Sequence, residues 1–222
     1  MAAGRGTRVG GETPKQYRPI AGIPMVLRAL RPFAAHPDVA RVVLVLPPAD
    51  AHAPPGFLAG LVAAGLRVVP GGVERSDSVA AGLAALDPEC TVVLVHDAAR
   101  PFVERPVIDA VIACARAGEG AAAAVPVTDT LKEASSTDPT RIERTVPRDR
   151  LWRAQTPQGF PRQVLEAALG GAGRQQLSAT DDASLVERVG VPVRLVRDSA
   201  RNLKVTTDED LALAELLAGS RA

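Results

Sequence analysis

Short apolar runs rich in β-branched residues alternate with longer segments rich in alanine and leucine along most of the chain. The apolar runs predict strands at residues 41–47, 66–69, 91–96, 121–127 and 193–196, and the longer segments predict helices at 25–35, 57–64, 76–86, 107–117, 164–169, 183–189 and 209–218. This alternation is typical of βαβ units, and continuous apolar runs are typical of strands buried on both faces. The pattern therefore predicts an α/β fold with a single doubly wound, mostly parallel, Rossmann-like sheet.

Residues with known preferences for helix ends lie where this pattern needs them. Asp77 and Asp208 stand near predicted helix starts, whereas Gly65, Gly118 and Gly190 stand where helices should stop.

A polar segment at about residues 128–158 does not fit the alternation. It contains a turn at 135–139 between two strand-like pieces, 130–134 and 142–146. This arrangement predicts a β-hairpin arm that projects from the sheet. Since an arm with little core of its own needs a surface to pack against, we expect it to contact a second subunit within one domain spanning residues 1–222.

The start of the chain is unusual for this fold. A parallel α/β domain should open with a central strand that leads into the glycine-rich loop, but Met1 adjoins that loop directly. We therefore expect the first strand to be missing from this sequence, as in a chain whose start lies about ten residues upstream.

Composition excludes several classes of protein. Among 222 residues, 26 basic side chains balance 25 acidic ones and only 3% are aromatic, which argues against nucleic acid as a partner. No apolar run approaches the ~20 residues that cross a bilayer, and no hydrophobic segment follows the first basic residue as in a signal peptide. We expect a cytoplasmic protein in which Cys90 and Cys114 are buried thiols.

Lysine is rare enough to be informative. It occurs only at positions 15, 132 and 204, so 23 of the 26 basic residues are arginine. A position that keeps lysine against this bias is a candidate for a role that needs a compact point charge, although chance could leave three lysines on the surface.

A glycine-rich segment opens the chain. Residues 2–8 read Ala-Ala-Gly-Arg-Gly-Thr-Arg, and Pro-Lys-Gln follows at 14–16. Small residues let backbone N–H groups approach phosphates closely, and Arg8 and Lys15 add positive charge. The segment is neither a Walker A loop nor the complete GxGxxG fingerprint, and an ordinary loop is the alternative.

Two further motifs follow predicted strands. Gly71 and Gly72 lead into a helix N-terminus after the strand at 66–69, which puts donors where ligands bind in open α/β sheets, although a capped helix alone would look the same. After the strand at 91–96, Asp97 could hold Mg²⁺ or a sugar hydroxyl and Arg100 could bind a phosphate. The alternative there is a local ion pair on a loop.

Taken in order, these motifs resemble one family. The segments are Ala-Ala-Gly-x-Gly-x-Arg, Pro-Lys-Gln, Gly-Gly-x-x-Arg-x-x-Ser, His-Asp-Ala-Ala-Arg-Pro, Asp129-Thr130, Thr145-x-x-Arg148, Leu151-Trp152, Thr156-Pro157-Gln158, Thr180-Asp181-Asp182-Ala183 and Asn202-x-Lys204-Val205-Thr206. They are similar to 2-C-methyl-D-erythritol 4-phosphate cytidylyltransferases of the non-mevalonate isoprenoid pathway. The resemblance implies a nucleotidyltransferase fold over nearly the whole chain.

The resemblance also implies roles for individual residues. Arg8 and Lys15 would be the catalytic cations on the triphosphate of CTP. The nucleotide would contact Ala2, Ala3, Gly4, Gly72, Ser78 and Asp97, and the methylerythritol phosphate would contact Arg100, Thr130, Arg148, Thr180 and Lys204. Thr130 and Arg148 would come from the partner's arm in a homodimer. An acidic residue is frequent in the family at the position of Val73, so a side-chain contact there is not expected.

The implied reaction is an attack by the acceptor's phosphate oxygen on the α-phosphorus of CTP, with pyrophosphate leaving. Alignment and charge stabilisation would supply the rate, part of it from Mg²⁺ carried on the phosphates, with Asp97 as a candidate ligand. One alternative is a relative that cytidylylates ribitol 5-phosphate. Two others, from different classes, are a NAD-dependent oxidoreductase, which the incomplete fingerprint disfavours, and a non-catalytic nucleotide-binding or oligomerisation module.

Overall fold

The computed structural model describes residues 1–4, 13–175 and 180–219, except for the side chains of 172–175. Its strands are β1 (Pro19–Ile20), β2 (Ile23–Pro24), β3 (Val43–Leu46), β4 (Arg67–Pro70), β5 (Val92–Val95), β6 (Gly120–Pro126), β7 (Leu131–Ala134), β8 (Ile142–Val146), β9 (Trp152–Pro161) and β10 (Val193–Arg197). Its α-helices are α1 (Met25–Ala34), α2 (Pro48–His52), α3 (Ala59–Ala63), α4 (Arg75–Ala84), α5 (Arg105–Arg116), α6 (Arg162–Gln175), α7 (Asp182–Arg188) and α8 (Asp208–Gly219). Short 3₁₀ turns cover Lys15–Tyr17 and Gly56–Leu58.

The central strands form two hydrogen-bonded groups. One is the parallel pair β3–β4, and the other is a four-stranded sheet in the order β10, β6, β9, β5. Met1 and Ala2 lie between the groups and bond to β3 and to the residues that follow β5. The sheet is therefore interrupted between β3 and β5, in its interior.

Helices cover both faces of the four-stranded sheet. On one face, α4, α6 and α7 pack against the sheet through a buried cluster that includes Val79, Leu165 and Val186. On the other face, α1 and α5 contribute Phe33 and Ile108 to a second cluster. Since helices cover both faces, the central strands β5 and β6 are apolar along almost their whole length, and the doubly wound arrangement is confirmed.

All the strands and helices predicted from the sequence are present in the described residues, and most ends lie within two residues of the prediction. Two helices differ more: α6 extends six residues beyond the predicted 164–169, and the first part of the predicted 57–64 is a 3₁₀ turn. The three glycines expected at helix ends all have positive φ angles, +98° at Gly65, +91° at Gly118 and +80° at Gly190. Glycine adopts this left-handed conformation without steric cost and so ends a helix cleanly.

Strand β9 corrects one expectation. It runs antiparallel to both β5 and β6, whereas β10 pairs parallel with β6 and β3 pairs parallel with β4, so the sheet is mostly parallel as predicted. The polar segment at 128–158, however, is not an arm throughout, since its last part belongs to β9 and Gln158 is buried in the sheet. Local polarity misled the prediction here, because buried polar side chains of β9 such as Thr156 and Gln158 form tertiary hydrogen bonds.

The remainder of that segment is a hairpin as predicted. Strands β7 and β8 pair antiparallel with each other, and their side chains are mostly exposed. Arg148 donates a hydrogen bond to the carbonyl of Thr128 and so joins the two ends of the hairpin.

Two further expectations can be compared with the structure. No described helix is both long and apolar enough to cross a bilayer. Cys90 and Cys114 are free thiols, but they are partly buried rather than fully buried.

Candidate active site

A cavity of about 450 Å³ opens beside Asp97, just beyond the carboxyl end of β5. Its lining includes many of the residues predicted from the sequence, namely Ala2, Ala3, Gly4, Lys15, Gly72, Ser78, Asp97 and Lys204. Open α/β sheets bind ligands at this edge, so the predicted nucleotide residues and one predicted acceptor residue meet where the fold favours a ligand.

The N-terminal turn packs tightly against the loop that follows β4. The N–H of Ala2 donates to the carbonyl of Val45 at 2.8 Å, which fixes the turn to β3. A Cβ atom on Gly71 would lie only 2.4 Å from Cβ of Ala3. Glycine is therefore required at position 71 for the two loops to form one wall of the cavity.

Ser78 shapes the second wall through its hydroxyl group. The hydroxyl accepts a hydrogen bond from the N–H of Gly72 at 3.1 Å and donates one to the carbonyl of Glu74 at 3.2 Å. Asp77 accepts from the N–H of Glu74 at 3.0 Å and so caps α4. The N-terminus of α4 thus borders the cavity in a fixed orientation, and its dipole favours an anion.

Asp97 is the most strongly perturbed carboxylate in the cavity. One oxygen lies 2.8 Å from Arg75 and the other lies 2.8 Å from Lys204, while its side chain is only 10% exposed. Burial alone would raise the pKa of Asp97, but Arg75 and Lys204 outweigh that effect and hold the pKa well below its usual range. Asp97 is therefore a fixed anion that can accept hydrogen bonds at neutral pH.

Arg75 joins Asp97 to a second buried carboxylate. Its other terminal nitrogen lies 2.7 Å from Asp182, whose side chain is 2% exposed. Burial raises the pKa of Asp182, and Arg75 offsets only part of this effect. The two carboxylates in turn raise the pKa of Arg75 above its ordinary value despite burial. One guanidinium therefore connects the end of β5 to the start of α7.

Sequence reasoning missed this network. Arg75 and Asp182 both lie within the motifs quoted for the family resemblance, but neither carried a role. In the sequence, Arg75 is a basic residue at one predicted helix start and Asp182 is an acidic residue at another. Ordinary surface helices also carry charged residues at their starts, so the two positions did not stand out. Only the fold shows that both side chains meet Asp97.

A neutral histidine, His96, helps to fix the backbone of Asp97 through Thr156. His96 lies with Nδ1 3.0 Å from the hydroxyl of Thr156 and Nε2 2.9 Å from the carbonyl of Arg100. Burial lowers the pKa of His96 to about 4, so its ring is uncharged at neutral pH. The same Thr156 hydroxyl accepts a hydrogen bond from the N–H of Asp97 at 3.0 Å. These contacts hold the backbone around Asp97 in place.

Arg100 lies behind the cavity instead of lining it. Its guanidinium donates to the carbonyl of Asn202 at 2.7 Å and to that of Ala154 at 3.4 Å. Burial lowers the pKa of Arg100. The observed contacts therefore connect β9 to the loop that carries Lys204.

The structure does not bring the other predicted acceptor residues to this cavity. Thr130 and Arg148 are exposed at the base of the hairpin, and Thr180 is exposed just before α7. Arg8 lies outside the described residues. Among the described residues of one subunit, Lys204 is thus the predicted acceptor residue that lines the cavity, and it lies beside Asp97.

Comparison with known proteins decides the family. A sequence model described as IspD, 2-C-methyl-D-erythritol 4-phosphate cytidylyltransferase, matches residues 1–220. The chain belongs to this cytidylyltransferase family. It is 43% identical to the cytidylyltransferase of Pelotomaculum thermopropionicum over 99% of this chain and 92% of that protein. It is 45% identical to that of Cupriavidus pinatubonensis over 98% of this chain and 92% of that protein.

A crystal structure supports the same assignment. The Thermus thermophilus 2-C-methyl-D-erythritol 4-phosphate cytidylyltransferase superposes with a TM-score of 0.80 at 38% identity, covering 96% of each chain. The α/β nucleotidyltransferase fold predicted from the sequence is confirmed. Membership of this cytidylyltransferase family makes the chain a nucleotidyltransferase, and nothing in these similarities supports ribitol 5-phosphate as the acceptor or an oxidoreductase activity.

Proposed function

We propose that the cavity beside Asp97 transfers a cytidylyl group from CTP to 2-C-methyl-D-erythritol 4-phosphate and releases pyrophosphate, a step of isoprenoid precursor synthesis. The observation that supports this proposal is the meeting of Ala2–Gly4, Lys15, Gly72 and Lys204 around one fixed carboxylate. The relatives named above are enzymes of this activity.

The nucleotide end of the cavity suits an anion with a sugar and a base. The N-terminal turn and the N-terminus of α4 offer backbone donors, and Lys15 also lines the cavity and adds a positive charge. Such donors stabilise charge that develops on the α-phosphate and on the leaving pyrophosphate. We assign Lys15 to this role, together with Arg8 by resemblance.

The acceptor end is organised by Asp97 and Lys204. The Lys204 side chain is 46% exposed, so its ammonium can reach solvent while it contacts Asp97. We propose that Lys204 binds the acceptor's phosphate and that Asp97 accepts hydrogen bonds from ligand hydroxyls. The acceptor's phosphate oxygen then attacks the α-phosphorus directly, and the chain holds both phosphates in line.

We propose that a magnesium ion enters this cavity on the phosphates of CTP. Among the described residues, no three His, Cys, Asp or Glu side chains cluster as a metal site, and both oxygens of Asp97 already contact cations. Mg²⁺ is commonly held by one or two carboxylates together with substrate phosphates. Asp97 would hold the ion if Arg75 or Lys204 released one of its oxygens to it, and the ion would then neutralise phosphate charge.

We also propose a homodimer in which the hairpin arm reaches the partner's acceptor site. Thr130 and Arg148 are exposed on the arm and do not line the cavity of their own subunit. The arm's two strands bury little surface by themselves, and an isolated two-stranded hairpin is marginally stable in water. A second subunit would give it a surface to pack against.

Pyrophosphate release from CTP tests the activity. The enzyme should release pyrophosphate with methylerythritol phosphate and not when the acceptor is omitted. Ribitol 5-phosphate serves as the matched acceptor control, and ATP and GTP serve as nucleotide controls. A kcat/KM that is equal or higher with ribitol 5-phosphate would overturn the acceptor assignment, and no turnover with either acceptor would overturn the activity.

A further inference from the structure

Gln158 is a buried glutamine of β9 whose side-chain amide bonds on both sides. The residue is only 1% exposed. Its Nε2 donates to a carboxylate oxygen of Asp181 at 2.8 Å, and its Oε1 accepts from the N–H of Ala183 at 2.9 Å. A third contact, from Nε2 to the carbonyl of Gln155, is long at 3.4 Å. Because an amide offers a donor and an acceptor together, it can bridge these two partners in a way that an apolar side chain cannot.

These bonds fix the start of α7. Asp181 directly precedes the helix, and its other carboxylate oxygen accepts from the N–H of Ser184 at 3.0 Å. Asp182 lies between the two partners of Gln158 in the chain, and its carboxylate contacts Arg75 at 2.7 Å. Gln158 therefore holds the residues on either side of Asp182 and so sets the position from which that carboxylate meets Arg75.

Arg75 connects the start of α7 to the cavity. It lines the cavity together with Lys204, and its other terminal nitrogen contacts Asp97 at 2.8 Å. Thr180, an acceptor residue implied by the family resemblance, adjoins Asp181 in the chain and so depends on the same turn. The buried amide of β9 thus acts on the acceptor end of the cavity through intermediate side chains and does not line the cavity itself.

We infer that Gln158 is a positioning residue for the acceptor end of the cavity. By holding the start of α7, it positions Asp182 against Arg75, which in turn holds the carboxylate at the end of β5. The effect on the acceptor rests on the proposed function. The nucleotide end should be little affected, because the N-terminal turn and Ser78 are fixed by separate hydrogen bonds that do not involve β9.

Exchanging the acid and the amide tests this arrangement. Gln158→Glu keeps an acceptor for Ala183 but places a carboxylate against that of Asp181. Asp181→Asn alone leaves two amides, one of which must give up a hydrogen bond. The double variant again has one donor facing one acceptor, with the same total charge as wild type. Gln158→Met is the matched control, since it removes both bonds and Asp181→Asn cannot restore them.

We expect Gln158→Glu to raise the acceptor's KM by at least about tenfold and the KM for CTP by less than about twofold, since a buried acceptor pair without a donor is costly. Asp181→Asn should have the same selectivity and a smaller effect, because it adds no repulsion. The double variant should return to within about threefold of wild type, whereas Asp181→Asn should not improve Gln158→Met. If Gln158→Glu does not fold, the rescue is the recovery of folding in the double variant, and Asp181→Asn supplies the comparison of Michaelis constants.

The guanidinium NMR signal of Arg75 measures the positioning without any substrate. The signal is assigned by its loss in Arg75→Lys. Its N–H protons should exchange faster with solvent in Gln158→Glu than in wild type and slow again in the double variant, because Asp182 holds them only when α7 starts in the right place.

Several results would overturn the inference. Equal changes in both Michaelis constants, or unchanged constants with a lowered melting temperature, would make Gln158 a residue of the core without a role in positioning. A double variant no better than Gln158→Glu would also overturn it. If wild type does not turn over, the proposed function fails and the Arg75 signal decides alone: unchanged exchange in Gln158→Glu would then refute the positioning role.

Discussion

Replacing Arg75 with methionine should weaken the fold and the acceptor site together, because one guanidinium neutralises two buried carboxylates. The side chains of Asp97 and Asp182 are 10% and 2% exposed, so neither can regain full hydration when the cation is removed. Removing one partner of a buried ion pair costs about 3–5 kcal/mol. Lys204 still contacts Asp97, so the loss of unfolding free energy should come mainly from the unpaired Asp182. We expect this loss to lie near the lower end of that range.

The size of this loss should depend on pH in a defined direction. Arg75 lowers the pKa of both carboxylates in the folded state, so its stabilising effect is fully present where both are ionised. In Arg75→Met the folded-state pKa values rise, the carboxylates bind protons more tightly when folded, and stability falls as pH increases. The difference in unfolding free energy between wild type and variant should therefore be largest near pH 7 and shrink toward pH 4.

Chemical denaturation and steady-state kinetics measure the two effects separately. We expect the Arg75→Met variant to raise the KM for methylerythritol phosphate more than the KM for CTP, because Asp97 loses its fixed orientation. Arg75→Lys is the matched control, since it keeps the charge but cannot contact both carboxylates at once. Asp182→Asn with and without Arg75→Met completes a double-mutant cycle, with an expected coupling of about 1–3 kcal/mol.

The cycle also provides the refutation. Additive losses within about 0.5 kcal/mol would show that Arg75 and Asp182 do not interact energetically. If the loss of stability in Arg75→Met did not depend on pH and the Michaelis constants were unchanged, Arg75 would contribute through side-chain packing and not through its charge.

Three other predictions concern the proposed reaction. Lys15→Ala should lower kcat by at least about 10²-fold, and Lys15→Arg should not restore it, because Lys15 lines the cavity and is assigned to the phosphates of CTP. Lys132→Ala should behave as wild type, because Lys132 bonds to Thr145 on the arm and does not line the cavity. Near-normal turnover of Lys15→Ala in the pyrophosphate assay would refute the assignment. Arg148→Ala should raise the acceptor's KM and leave CTP binding unchanged. Mixing the Arg148→Ala and Lys15→Ala proteins should restore activity if subunits exchange. If labelled subunits demonstrate exchange and activity still does not recover, Arg148 lies outside the partner's site. Chelation by EDTA should abolish turnover and added Mg²⁺ should restore it, while full activity after chelation would exclude a magnesium requirement.

The sequence by itself determined the layered fold and most of the nucleotide end of the site. Apolar runs of the right length predicted β3, β4, β5, β6 and β10, since strands buried on both faces require them. The nucleotide motifs could be recognised in the sequence because each is local. A glycine-rich turn, or a strand end followed by a helix start, positions its backbone donors without residues from distant parts of the chain. Resemblance to the family then supplied the roles that spacing could not.

Tertiary structure decided what depends on residues distant in the sequence. Strand β9 escaped prediction because buried polar side chains such as Thr156 and Gln158 form hydrogen bonds to residues distant in the sequence, and the local sequence pattern does not show those partners. The ion pairs of Arg75 with Asp97 and Asp182 likewise span 22 and 107 residues. Burial and charge pairing are properties of the assembled chain, so only the fold could separate these side chains from the other charged residues that lie on the surface.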